Sequence, residues 1–68
     1  MRVRPICNIQ DTGGNLQCIL GRAMLVLSRA GFRDRAQELK RRADIENKPA
    51  SDVMKIIENY VIIKEGPV

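Results

Sequence analysis

Residues 22–42 carry seven cationic side chains: Arg22, Arg29, Arg33, Arg35, Lys40, Arg41 and Arg42. Two carboxylates, Asp34 and Glu38, oppose them, so the local excess of positive charge is larger than the net +4 of the whole chain. Six of the seven are arginines. A guanidinium is planar, permanently charged and forked, and it matches the paired oxygens of a carboxylate or a phosphate. Arg22 and Arg29 stand seven residues apart and share a helix face; Arg33 and Arg35 follow directly after the turn at Gly31. This spacing predicts a basic patch around one helix–helix corner. Its chemistry is recognition of anions: a nucleic-acid backbone, an anionic nucleotide or an acidic protein surface. The candidate partner-binding residues are Arg22, Arg29, Arg33, Arg35, Arg41 and Arg42. The competing reading is a solvated face that keeps a small protein in solution.

Catalytic chemistry is poorly supplied. The chain has no histidine, the commonest general base at neutral pH. Cys18 falls in the first turn of a candidate helix, which favours a thiolate. It also falls among Leu16, Ile19 and Leu20, which predicts a buried, inert thiol. Asp34, Glu38, Asp44 and Glu46 read as surface charges. With no histidine and no Cys-x-x-Cys, a structural zinc site is not expected. The stretch Asp11-Thr12-Gly13-Gly14-Asn15 leads into a helix, and a glycine-rich turn there can cradle an anion. No Gly-Lys-Ser/Thr follows, so it is no P-loop. It reads as a strand-to-helix turn with a cap. The expectation is a non-enzymatic protein with no cofactor and no metal.

The elements that must position these residues follow from periodicity. Residues 2–9 read as a short strand, with Val3, Pro5, Cys7 and Ile9 on one face and Pro5 marking an edge or a strand start. Asn15 is a candidate N-cap for a helix over 16–30. In that helix Leu16, Ile19, Leu20, Ala23, Leu27 and Ala30 form the apolar stripe, and Cys18, Met24, Leu25 and Val26 widen it. Such an all-round apolar helix is expected at the centre of the fold. Gly21 inside it predicts close approach by another backbone. Gly31 is placed to end the helix in the left-handed conformation. A second helix over 33–44 has Ala36, Leu39 and Ala43 on one face, with Phe32 just before it. Residues 46–49 form a polar linker, and Ser51 is a candidate cap for a third helix whose buried side is Val53, Ile57, Tyr60 and Val61. Tyr60-Val61-Ile62-Ile63 is β-branched and aromatic, which predicts a closing strand.

The result is one small α+β domain over residues 1–68, ordered β-α-α-α-β, dominated by helix, with two short terminal strands. The 68 residues bury a limited core. With only Cys7 and Cys18 present, no disulfide framework braces it. The surplus of apolar positions on the long helix predicts self-association, most simply a homodimer. The longest apolar run, Ala23–Leu27, is far too short to cross a bilayer. The first ten residues lack the apolar core of a signal peptide, so a cytoplasmic protein with reduced cysteines is expected.

The pattern Asp11…Gly14-Asn15, Ile19-Leu20-Gly21-Arg22, Arg29-Ala30-Gly31 and Tyr60-Val61 resembles a group of small bacteriophage- and prophage-encoded proteins. The likeness spans most of residues 2–63, with Thr12-Gly13 lengthening the group's compact Asp-Gly-Asn turn. It implies a phage or mobile-element setting inside a bacterial host cell, and no particular activity. The functional expectation is an accessory protein that binds a host macromolecule through its arginine-rich surface. The alternatives are nucleic-acid binding by the same patch and sequestration of a small anionic nucleotide.

Overall fold

The computed structural model describes residues 4–65. Strand β1 (Ile6–Asn8) leads through a single 3-10 turn (Gln10–Thr12) into helix α1 (Leu16–Arg29). Helices α2 (Arg33–Arg42) and α3 (Ala50–Glu58) follow, and strand β2 (Ile62–Lys64) closes the domain. This is the expected β-α-α-α-β order of a small α+β domain. The strands pair in parallel, with Ile6 opposite Ile62, Cys7 opposite Ile63 and Asn8 opposite Lys64. Parallel strands cannot be joined by a tight hairpin; they need a long crossover, and here the three helices supply it.

The limits of α1 are set by side-chain and backbone chemistry. Asn15 is its N-cap, and its Oδ1 accepts from the amides of Gln17 at 3.0 Å and Cys18 at 3.2 Å. At the other end Gly31 adopts φ 87°, a conformation that costs any residue with a Cβ. The Phe32 amide donates to the Leu27 carbonyl at 2.8 Å and the Gly31 amide to that of Ser28 at 3.1 Å. These two bonds form a Schellman motif, which satisfies orphan carbonyls and turns the chain directly into α2.

Helix α1 buries Ile19, Leu20, Ala23 and Leu27. Against them pack Ala36 and Leu39 of α2, Val53 and Ile57 of α3, and Cys7, Ile9, Ala43, Tyr60 and Val61. The core is aliphatic apart from Tyr60, as the near absence of aromatics requires. Met24 and Val26 are half-buried against this cluster, so Leu25, 45% exposed, is the one member of the Met24–Val26 surplus left open. The physical case for a self-associating α1 is correspondingly narrower than the residue count implies.

Several expectations are corrected. No atom lies within 4 Å of the position a Cβ on Gly21 would take, so no backbone packs closely there. Cys18 is exposed while Cys7 is buried, because Cys18 sits on the side of α1 opposite Leu20, Ala23 and Leu27. Ser51 does not cap α3. The cap and the helix start lie two residues earlier: α3 begins at Ala50, after an extended Pro49 whose carbonyl accepts from Asp52 at 3.0 Å and Val53 at 3.1 Å. Tyr60 and Val61 are not in the strand: their amides donate to the Ile57 carbonyl at 2.9 and 3.1 Å. Burial of both side chains holds them in the helix-terminal turn, overriding their strand propensity. The first strand is shorter than residues 2–9. Cys7 and Ile9 share the buried side as expected, and Val3 lies outside the described residues.

Candidate interaction surface

The Gly31 turn brings the end of α1 against the start of α2. Around it lies an open cavity of about 380 Å³ lined by Gly31, Phe32, Arg33, Asp34 and Arg35. The six arginines singled out in the sequence do not converge on it. They separate into three sets, and helix geometry explains the separation.

Arg22 is half-buried on α1 and lies close enough to act on Cys7 of β1. Burial pushes the Cys7 thiol up, and the positive charge of Arg22 pulls it part of the way back. Arg35 and Arg42 form the second set, on one flank of α2 with Glu38. The Arg35 guanidinium lies 4.4 Å from the centre of the Phe32 ring, the distance of a cation–π contact. Arg42 donates from Nη1 to the Tyr60 hydroxyl at 2.9 Å and stands 3.9 Å from Glu38 Oε1. The Tyr60 hydrogen bond is the main reason the Arg42 pKa is raised further. These two arginines brace α2 against its aromatic neighbours.

The third set is Arg29, Arg33 and Arg41, all exposed and without an ion pair or hydrogen bond to any described residue. Arg33 and Arg41 lie on the other flank of α2, roughly 12 Å apart along the axis at 1.5 Å per residue. Gln37 lies between them and Lys40 beside them. No carboxylate falls on this flank; Asp34 borders it. Lys40 is therefore a member of the surface that the arginine-based reading left out. The signal was available, since Lys40 is seven residues from Arg33, two helical turns on the same face. The aromatic anchoring of Arg35 was also legible in part, because Phe32 and Arg35 are three residues apart. The pairing of Arg42 with Tyr60 spans 18 residues and depends on the tertiary fold.

Of the two aromatic rings, Tyr60 is buried, and the half-buried Phe32 carries the Arg35 guanidinium over its ring. Among the described residues no group of three or more His, Cys, Asp or Glu side chains could hold a metal ion. None of their helices is long and apolar enough to cross a membrane. No family model matches the chain, and no curated protein or solved structure is significantly similar to it.

Proposed function

We propose that this chain is a non-enzymatic accessory module that binds an anionic surface of a host macromolecule. The contact residues are Arg33, Lys40 and Arg41 on the free flank of α2, with Arg29 beside them at the corner. One observation carries the reading: these cations have no partner among the described residues, while Arg35 and Arg42 on the same helix are tied to aromatic rings. A fold that needed the charges only for internal support would pair them too. An acidic protein surface suits this flank better than a single-stranded nucleic acid, because no aromatic residue stands among Arg33, Gln37, Lys40 and Arg41 to stack a base. The resemblance of the sequence to small bacteriophage-encoded proteins supports a bacterial host as the setting of such a module.

The test is the double charge reversal Arg33→Glu/Arg41→Glu in a tagged full-length chain, used to recover partners from bacterial lysate with and without nuclease. The expected result is a discrete protein that survives nuclease with the parent chain and is lost with the variant, at an unchanged melting temperature. A nuclease-sensitive partner whose affinity falls steeply with salt identifies a phosphate backbone instead, through counterion release. Equal recovery by parent and variant refutes the assignment of this flank.

A further inference from the structure

The two-stranded sheet carries a second open surface, remote in chemistry from the flank of α2. The Ile62 amide donates to the Pro5 carbonyl at 2.9 Å, and the Lys64 carbonyl accepts from Ile9 at 3.0 Å. In a parallel pair alternate residues direct their amide groups toward the neighbour. Ile62 and Lys64 therefore face β1, and the N–H and C=O of Ile63 point to the opposite side. Sheets built only of parallel strands are normally covered on both faces, and two strands alone make a marginal ribbon. Here Ile6 and Ile62 are register partners, 55% and 39% exposed, side by side on the face turned away from the core. They are two of the three large exposed apolar side chains among the described residues. An open groove of about 220 Å³ runs beside β2, lined by Arg4, Glu58, Val61, Ile62 and Ile63.

The charges around this apolar pair decide what fits it. Strand alternation puts Lys64 on the face of Ile62, and Arg4, just before β1, lines the groove with Ile62. Arg4 reaches the C-terminal end of α3, where its Nη1 donates to the Glu58 carbonyl at 2.9 Å. A second copy of the chain would bring Arg4 and Lys64 to the same edge again, with Glu58 the one carboxylate lining the groove. The exposed apolar pair is also far smaller than the roughly 800 Å² per partner of a stable dimer interface. We propose that β2 accepts an extended segment of a partner protein as a third strand. That segment has an apolar residue beside Ile62 and carboxylates beside Lys64 and Arg4. The amide groups of Ile63 supply main-chain hydrogen bonds, and Lys64 and Arg4 select the acidic flanks. The site is separate from the proposed binding flank of α2.

The test uses the full chain labelled with ¹⁵N and two blocked peptides, Glu-Val-Val-Val-Glu and Lys-Val-Val-Val-Lys. The acidic peptide is expected to shift the amides of Ile62, Ile63 and Lys64 most, and to slow hydrogen exchange at Ile63. It should bind about three- to fivefold tighter than the lysine peptide, the scale of exposed charge pairs. Lys64→Glu should invert that ranking, and Ile62→Thr should weaken both peptides while leaving the rest of the spectrum in place. Arg33→Glu/Arg41→Glu should bind the acidic peptide as before, which separates this surface from the flank of α2. Absence of shifts at millimolar peptide, shifts centred on Arg33–Arg41, or equal binding of the two peptides overturns the proposal. A sedimentation-defined dimer that the Ile62→Thr change dissociates also overturns it, since the edge is then occupied by a second copy.

Discussion

Gly21 and Gly31 make a matched pair for testing how α1 is held. Both are glycines with no atom within 4 Å of the place a Cβ would occupy. Only Gly31 has a positive φ, at 87°. Steric room is thus equal, and the backbone conformation alone differs. Gly21→Ala in the exposed interior of α1 removes unfolded-chain entropy, and the helix-propensity difference predicts a gain of about 0.8–1.0 kcal/mol. For a domain of this size that raises the melting temperature by roughly 4–8 °C. Gly31→Ala forces a Cβ into the left-handed region and should cost about 1–2 kcal/mol, a shift of similar or larger size in the opposite direction. Urea unfolding followed by far-UV circular dichroism measures both, with an unchanged slope showing that the two end states are preserved. A destabilising Gly21→Ala would refute the reasoning, because it means that some backbone does approach α1 there. Repeating the measurement over a range of protein concentrations then identifies the approaching chain. A parent stability that rises with concentration, and a Gly21→Ala stability that does not, places a second copy on the exposed face around Cys18, Gly21 and Leu25.

Two further outcomes follow from the caps and the thiols. Asn15→Ala removes the acceptor for the Gln17 and Cys18 amides and should lower stability by about 1 kcal/mol, measured by the same unfolding curves. An aromatic disulfide reagent should consume Cys18 quickly and spare Cys7 until the protein unfolds. The raised Cys7 pKa adds a pH dependence: below the unfolded-state value of about 9 the thiol is neutral in both states and contributes no slope. Above it the unfolded chain ionises first, so stability falls by up to about 1.4 kcal/mol per pH unit until the folded thiol also titrates. Cys7→Ala should remove that alkaline slope, and a slope that persists assigns it to another group.

The fold was legible where local chemistry acts alone. The Asn15 cap, the Gly31 stop and the apolar stripe of α1 from Leu16 to Leu27 each depend on residues within one or two turns and are found as read, whereas Ala30, expected on the stripe, is exposed at the C-cap. The errors fall where tertiary context decides. Cys18 lies among Leu16, Ile19 and Leu20 in the sequence, but a helix turns neighbours through about 100° each. Cys18 and Leu25 therefore share the open side while Ile19 and Leu20 go inward. Tyr60 and Val61 carry strand propensity yet are claimed by the core at the end of α3. The parallel sense of the sheet was not readable, since three-residue strands carry no signal of direction. On the surface, counting arginines located the right helix but could not divide its cations. That division depends on Phe32 and on a tyrosine 18 residues away.

Helix α2 packs on α1 through a narrow apolar face, and this is why its unpaired flank carries meaning. It buries only Ala36 and Leu39, and a ten-residue helix is marginal in water on its own. Arg35 and Arg42 add aromatic contacts that hold it down. Lys40 and Arg41 gain only the helix-dipole interaction of the last turn, Arg33 opposes the dipole at the first, and the three crowd like charge on one side. Stability alone would favour a carboxylate between them, and Gln37 occupies the position that would receive it. Gln37 is four residues from both Arg33 and Arg41. Gln37→Glu creates two i, i+4 ion pairs, each worth a few tenths of a kcal/mol. It should therefore raise the melting temperature slightly while weakening partner binding, by neutralising the cations that make the contact. Gln37→Ala separates the two effects: it improves helix propensity without adding charge, and should leave binding nearly intact. A Gln37→Glu protein that is more stable and binds equally well would show that this flank is only solvated. One that is more stable and binds less well locates the cost of function on this face of α2.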